Sequence, residues 1–195
     1  MGLNGELSCT SWLSCLRAQG LNMKWLNTVH LVGVVALSVG ASANACEMNS
    51  ENLQRVGETR LEVFFFDVYD AALFTDTGRY PEAQTIRLRL DYLRDFKARS
   101  LIERTEEEWL KLDIQVGENH QRWLEQLYDT WPDITKGDCL VAQWDKASGL
   151  QFYTKEGAVG ELFPDEFAAD FLAIWLSENA SYRRNRDELV GENNG

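Results

Sequence analysis

The chain is short of the parts that most chemistry requires. Among 195 residues there are two histidines, His30 and His120. A Ser-His-Asp or Cys-His catalytic group would have to be built on one of them. His120 falls in the polar start of a helical segment and reads as a solvated surface residue. No C-x-x-C occurs, and of the two histidines only His120 falls in the expected mature chain, so zinc chemistry lacks its ligands. Neither G-x-x-x-x-G-K-[ST] nor G-x-G-x-x-G is present, which removes nucleotide hydrolysis and dinucleotide redox chemistry. No stretch matches an EF-hand loop. Carboxylates are plentiful, but their spacing singles out no pair and reads as solvated face. What remains is acid–base chemistry without a metal or cofactor, or binding without chemistry.

Positive charge is scarce as well. The 19 Lys and Arg are outnumbered by 31 Asp and Glu, a net charge of −12. Nucleic acid and anionic membrane surfaces are poor partners for such a chain. There are three prolines, no internal repeats and no long Gly/Ser linkers, so one compact domain is expected after the N-terminal segment.

The one continuous apolar run, Leu31 to Val39, is too short to span a bilayer, which takes about 20 residues. Lys24 precedes it and Ala43-Asn44-Ala45 follows it. Residues 23–45 therefore read as a secretory signal peptide cleaved after Ala45; the alternative is a buried helix or an uncleaved anchor. Residues 1–22 fit neither signal nor domain and read as an upstream extension, with Met23 the true start. The expected location is the periplasm or outside the cell. The domain is expected over 46–195, with 17 basic and 30 acidic residues once Glu6, Arg17 and Lys24 are removed, so 17 − 30 = −13.

Two of the four cysteines, Cys46 and Cys139, fall in that domain. In an oxidising compartment they could pair. Cys46 could instead be the acylated first residue of a lipoprotein, although Ala43 stands where such signals usually carry Leu. Two free thiols are the third possibility, and the three readings stay open.

Beyond the leader, residues 59–75 are rich in Phe, Val and Tyr, and read as a long strand or as two strands with a bend near Asp67. Residues 85–92 alternate apolar and polar as a half-buried strand does. A short apolar helical face covers Phe96 to Ile102. Thr105-Glu106-Glu107-Glu108 then has the pattern of a capping box opening a helix. A second helix is expected from Asn119 to Thr130. Three short strands follow at 139–145, 150–154 and 158–162, separated by turn residues, as in an antiparallel meander. Pro164 suits the first turn of a helix carrying Phe167, Phe171, Ile174 and Trp175, and a last helix runs from Arg184 to Val190. Runs of strands followed by runs of helices indicate α+β: an antiparallel sheet with helices packed on it.

One stretch resists a simple reading. Residues 64–73, FFFDVYDAAL, are apolar enough for a core yet hold Asp67, Tyr69 and Asp70. Without a bulge, Asp67 and Tyr69 share one strand face, and Asp70 points the other way, within reach of Arg87 or Arg89.

A set of segments in order carries a resemblance. Gly57-x-x-Arg60, Val68-Tyr69-Asp70-Ala71-Ala72-Leu73-Phe74, Leu90-x-Tyr92-Leu93-Arg94-Asp95, Lys136-Gly137-Asp138, and Phe167 with Ile174-Trp175-Leu176 resemble the bacterial exported branch of the chalcone isomerase-like family. The resemblance covers nearly all of 46–195. It implies an open-faced β-sandwich: a large antiparallel sheet wrapped by helices on one side, with a ligand cleft between. It also implies one of two activities. Plant members close a chalcone ring, and related non-enzymatic members bind fatty acids. The enzymes use an Arg, a Thr and a Tyr. By resemblance the Arg corresponds to Arg60 and the Thr to Tyr69, while the Tyr position falls near Phe96 and Lys97, neither of which is a Tyr. The expectation is a non-catalytic binder of a small apolar or carboxylate ligand, with Arg60 and Tyr69 as the binding residues. It involves no cofactor, no metal, no nucleic acid and no identified protein partner. The alternatives are a cofactor-independent isomerase on another substrate, and a partner-binding scaffold whose cleft is filled by side chains. In the plainest reading of the two residues, Tyr69 is an ordinary core Tyr and Arg60 an exposed strand charge.

Overall fold

The structure, a computed structural model, describes residues 52–192. The segments expected to be a leader (23–45) and an upstream extension (1–22), together with Cys46, lie outside the described residues.

Six strands form one antiparallel sheet in chain order: β1 (Gln54–Val63), β2 (Phe66–Thr75), β3 (Thr85–Tyr92), β4 (Cys139–Asp145), β5 (Gly149–Thr154) and β6 (Gly157–Phe163). Among the described residues four helices join the sheet: α1 (Ala98–Lys111) and α2 (Glu118–Thr130) between β3 and β4, then α3 (Asp165–Leu176) and α4 (Arg183–Leu189) after β6. This is the expected α+β architecture.

The sequence pattern explains most of these elements. In β3, Ile86, Leu88, Leu90 and Tyr92 alternate onto the helix side and are buried. Helix α3 stacks Phe167, Phe171 and Trp175 at four-residue spacing. Phe167 is stacked on Phe163 at 4.1 Å and on Phe171 at 5.4 Å, and Phe152 of β5 meets Phe171 edge-on at 5.1 Å. This aromatic column joins helices to sheet along β5 and β6. Towards β1 and β2 the layers part around a cavity.

Three expectations are corrected. Thr105 does not cap a helix. It lies inside α1, and its hydroxyl donates to Leu101 O at 3.0 Å. The helix starts at Ala98, whose N–H is received by the distant Asp133 carboxylate at 3.0 Å, a partner that local sequence does not reveal. The bend between the first two strands is not at Asp67 but at Phe64-Phe65, with Val63 paired to Phe66. Finally, His120 is not a solvated surface residue. Its ring lies edge-on to Trp109 and Trp123 at 5.1 and 4.8 Å. Nδ1 accepts the Gly117 N–H at 3.3 Å, so Nε2 carries the proton shared with Asp170 at 3.0 Å. This histidine staples α2 to α3.

Candidate functional site

A β-bulge answers the question posed by FFFDVYD. Arg60 pairs with Asp70 and Leu61 with Tyr69, but Glu62 pairs with Asp67, leaving Val68 as the extra residue on β2. The bulge resets the alternation. Val68 and Tyr69 both turn toward the helices, while Asp67 and Asp70 both turn to the outer face. There the two carboxylates meet Arg60, Asp70 at 2.6 Å and Asp67 at 3.5 Å.

On the inner face, the parting of the layers leaves a cavity of about 510 Å³ between β1–β4 and helices α1, α3 and α4. That volume is within the range of small-molecule sites. Thr59, Leu61 and Val63 of β1 form one wall, and Leu90 and Tyr92 of β3 continue it. Leu101 of α1 with Ile174 and Trp175 of α3 form the opposite wall. The surface is mainly apolar by area, though polar and charged side chains contribute to it. The Tyr69 hydroxyl accepts the Trp175 indole N–H at 2.9 Å. Among the described residues nothing accepts the proton of that hydroxyl, so it is available to a ligand oxygen. Burial raises the Tyr69 phenol above its ordinary value, with the Trp175 N–H pulling the other way, and burial likewise raises Tyr92, so both are neutral donors at physiological pH.

Three of the four charged side chains lining the cavity, Arg104, Glu108 and Arg186, are ion-paired, and the fourth, Arg94, stands at the open end. Glu108, only 4% exposed at its side chain, is held by Arg104 at 2.6 Å, Lys111 at 3.0 Å and the Ser181 hydroxyl at 2.5 Å. Arg186 is buried between Asp187 at 3.1 Å and Glu192, and its Nε donates to Leu176 O at 3.3 Å. Both arginines thus face carboxylates of their own chain. Trp131 lies in the wall with an indole N–H that has no partner among the described residues.

Helix α4 closes one end. Asn185 donates to Thr59 Oγ1 at 2.7 Å and to Arg60 O at 2.8 Å, and Thr59 donates to Glu188. The approach requires Gly57: a Cβ there would stand 2.1 Å from Glu188 O and 2.5 Å from Leu189 O. The other end opens to solvent where lining residues are themselves exposed, at Phe64, Phe66 and Arg94.

Of the two expected binding residues, the structure brings one to the cavity. Tyr69 lines it. Arg60 does not: it is one residue out of phase with Leu61, on the outer face and engaged with two carboxylates. Phe96 also lines the cavity, whereas Lys97 points to solvent and pairs with Asp133 at 2.7 Å. Asp70 meets Arg60 rather than Arg87 or Arg89. The cleft is open, not filled by side chains. Cys139 is buried on the outer face, in a small cluster with Val141 and Tyr153, and is disulfide-bonded. The other three cysteines lie outside the described residues. No cluster of three or more His, Cys, Asp or Glu able to hold a metal occurs among the described residues. Sequence reasoning missed Tyr92, Arg104, Glu108 and Trp175. The Arg104–Glu108 pair at i,i+4 spacing was the available signal, hidden by reading Thr105 as a helix start.

Comparison with known proteins agrees with this geometry. The family model described as "Chalcone isomerase-like" matches residues 40–191, and the chain belongs to that family. It is 26% identical over 130 residues to an uncharacterised protein of Haemophilus influenzae, an alignment covering 65% of this chain and 62% of that one, so the chain spans less than two thirds of that relative's length. Among solved structures it is similar to a fatty-acid binding protein of Arabidopsis thaliana, with a TM-score of 0.52 and 14% identity over 72% of this chain and 85% of that one. That likeness is one of fold.

Proposed function

We propose that this chalcone isomerase-like chain is a non-catalytic binder of a small apolar ligand of the fatty-acid kind. The observation that carries the reading is the open cavity of about 510 Å³, apolar on most of its surface, with the free Tyr69 proton presented inside it. The fatty-acid binding function named for the Arabidopsis neighbour supports the ligand class.

Ring closure is the less favoured activity. The family's enzymes hold an oxyanion with an arginine; here Arg60 is on the wrong face, Arg104 and Arg186 are committed to carboxylates, and Arg94 stands exposed at the mouth over the Phe66 ring. Neutral donors such as Tyr69 and Tyr92 suit a ligand oxygen that only needs to be held. The leader-like segment 23–45 and the disulfide at Cys139 support action in an oxidising compartment outside the cytoplasm.

Mass spectrometry of organic extracts from the purified protein, against a mock purification, tests the reading. A stoichiometric fatty acid is the expected result, with saturable binding of a fluorescent fatty acid that falls in Tyr69→Phe. An extract identical to the mock, with no saturable binding, would overturn it.

A further inference from the structure

The β1–β2 turn is made of residues that such a turn disfavours. Val63 pairs with Phe66, so Phe64 and Phe65 are its two central residues, with φ of 57° and 102°. Positive φ at both positions is what a type I′ turn requires. Asn-Gly normally meets the requirement, because a bulky L side chain is strained there. The rings are largely outside the fold: Phe64 is 85% exposed, Phe65 102% and Phe66 59%. Three adjacent aromatics held out of the core, two of them in strained backbone, point to an occupant outside the chain.

Two neighbouring features identify its chemistry. Phe64 and Phe66 line the cavity at its open end, so the tip forms the rim through which a ligand passes. An apolar acid, the ligand proposed above and the reading on which this inference rests, resides in a lipid bilayer rather than in water. Beside the tip, the exposed Arg94 guanidinium sits 4.5 Å from the centre of the Phe66 ring, with no carboxylate paired to it among the described residues. Aromatic rings with a free guanidinium next to them match the acyl boundary and phosphate layer of a membrane interface. Glu62 and Asp67 on the adjoining strands, and the net charge of −12, disfavour an anionic surface. We propose that the Phe64–Phe66 turn inserts into the interface of a zwitterionic lipid bilayer, placing the cavity mouth at the source of its ligand.

Flotation of the full chain with phosphatidylcholine vesicles tests this, comparing the native protein with Phe65→Gly and Phe65→Trp. Phe65 does not line the cavity, and glycine relieves the positive φ, so Phe65→Gly should fold at least as stably as the native chain. Vesicle affinity should fall about tenfold in Phe65→Gly, the worth of one inserted ring, and persist in Phe65→Trp. Binding of a fluorescent fatty acid in vesicle-free buffer should not change. Equal vesicle binding by the native chain and Phe65→Gly would overturn the proposal. So would a native chain that ignores vesicles but self-associates through the tip, as judged by sedimentation. Phe65-dependent vesicle binding without fatty-acid uptake would uphold the insertion and overturn the ligand reading.

Discussion

Arg60 and Asp70 face each other across the β1–β2 ladder and share two contacts, Nε to Oδ1 at 2.6 Å and Nη2 to Oδ2 at 2.9 Å. Both side chains are close to half exposed on the outer face of the sheet. The pair is the bidentate arrangement that a guanidinium also makes with a ligand carboxylate. Here the carboxylate belongs to the chain, and the cavity lies on the other side of the sheet. One bulge, at Val68, separates the two faces: Tyr69 points in, and Asp67 and Asp70 point out.

It follows that Arg60→Ala should leave the affinity for a fluorescent fatty acid unchanged. Stability should change little, since exposed ion pairs contribute weakly. Titration of native and variant protein side by side checks this. A large loss of affinity in Arg60→Ala would mean that β1 is displaced by one residue from the register seen here.

Tyr69→Phe should behave differently. It removes a hydroxyl that accepts from Trp175 and that the proposed function makes the donor to the ligand. A neutral hydrogen bond to the ligand is worth roughly a 3- to 10-fold change in affinity. Leaving the indole N–H of Trp175 without its acceptor should also cost about 1–3 kcal/mol of stability. Competition binding and thermal denaturation separate the two effects.

The strands were legible because their apolar alternation is local. β3 was read at 85–92 and is observed at Thr85–Tyr92, and the three later strands fall within a residue of their expected positions at each end. The site was less legible because it depends on long-range pairing. Nothing in VFFFDVYD announces a bulge, and a Phe-Phe turn carries none of the usual Gly or Asn signals. The face that Arg60 takes is set by the register of the β1–β2 hairpin, whose turn lies at Phe64-Phe65 and not near Asp67. Tyr69 was found by resemblance and its partner Trp175 was not, since 106 residues separate them. The start of α1 was hidden for the same reason: its cap comes from Asp133, 35 residues away.

Gly57→Ala should undock α4. The new Cβ would meet two carbonyl oxygens of that helix at 2.1 and 2.5 Å, so helix or strand must move. Overpacking of this kind costs about 1–3 kcal/mol. The expected signature is faster hydrogen exchange in residues 183–189 with the β3–β5 amides still protected. A uniform change across the fold would argue that α4 and the sheet open as one unit.

Cys139 provides a link of a different kind, on the face opposite the cavity. Of the three cysteines outside the described residues, Cys46 is the one in the expected mature chain. Non-reducing peptide mapping of the purified protein should find Cys139 joined to Cys46. A bridge closing about 90 residues contributes roughly 4 kcal/mol in the chain-entropy model, so reduction should lower the thermal midpoint without emptying the cavity. A lipid found on Cys46 would exclude that pairing.

Acid should act through Asp138, which fixes the turn behind Tyr92. Its carboxylate accepts Lys155 Nζ at 2.7 Å and the Thr135 hydroxyl and N–H at 2.6 and 2.8 Å. The same turn is tied to the cavity wall: Tyr92 N–H donates to Asp138 O at 2.9 Å and Gly137 N–H to Tyr92 O at 2.8 Å. The Lys155 contact first, then those from Thr135, lower the Asp138 carboxyl from 3.8 to about 2. Because the folded value lies below the unfolded one, the stabilisation is complete above about pH 4. It is lost progressively as the pH falls toward about 2. With the carboxylate 18% exposed, a contribution of roughly 1–2 kcal/mol remains after allowing for solvent screening. Denaturant unfolding between pH 7 and pH 2 should therefore show a steeper acid limb in the native protein than in Asp138→Asn. The variant should be the less stable of the two at pH 7, and the gap should close in acid. Parallel acid limbs would mean that other carboxylates carry the pH dependence.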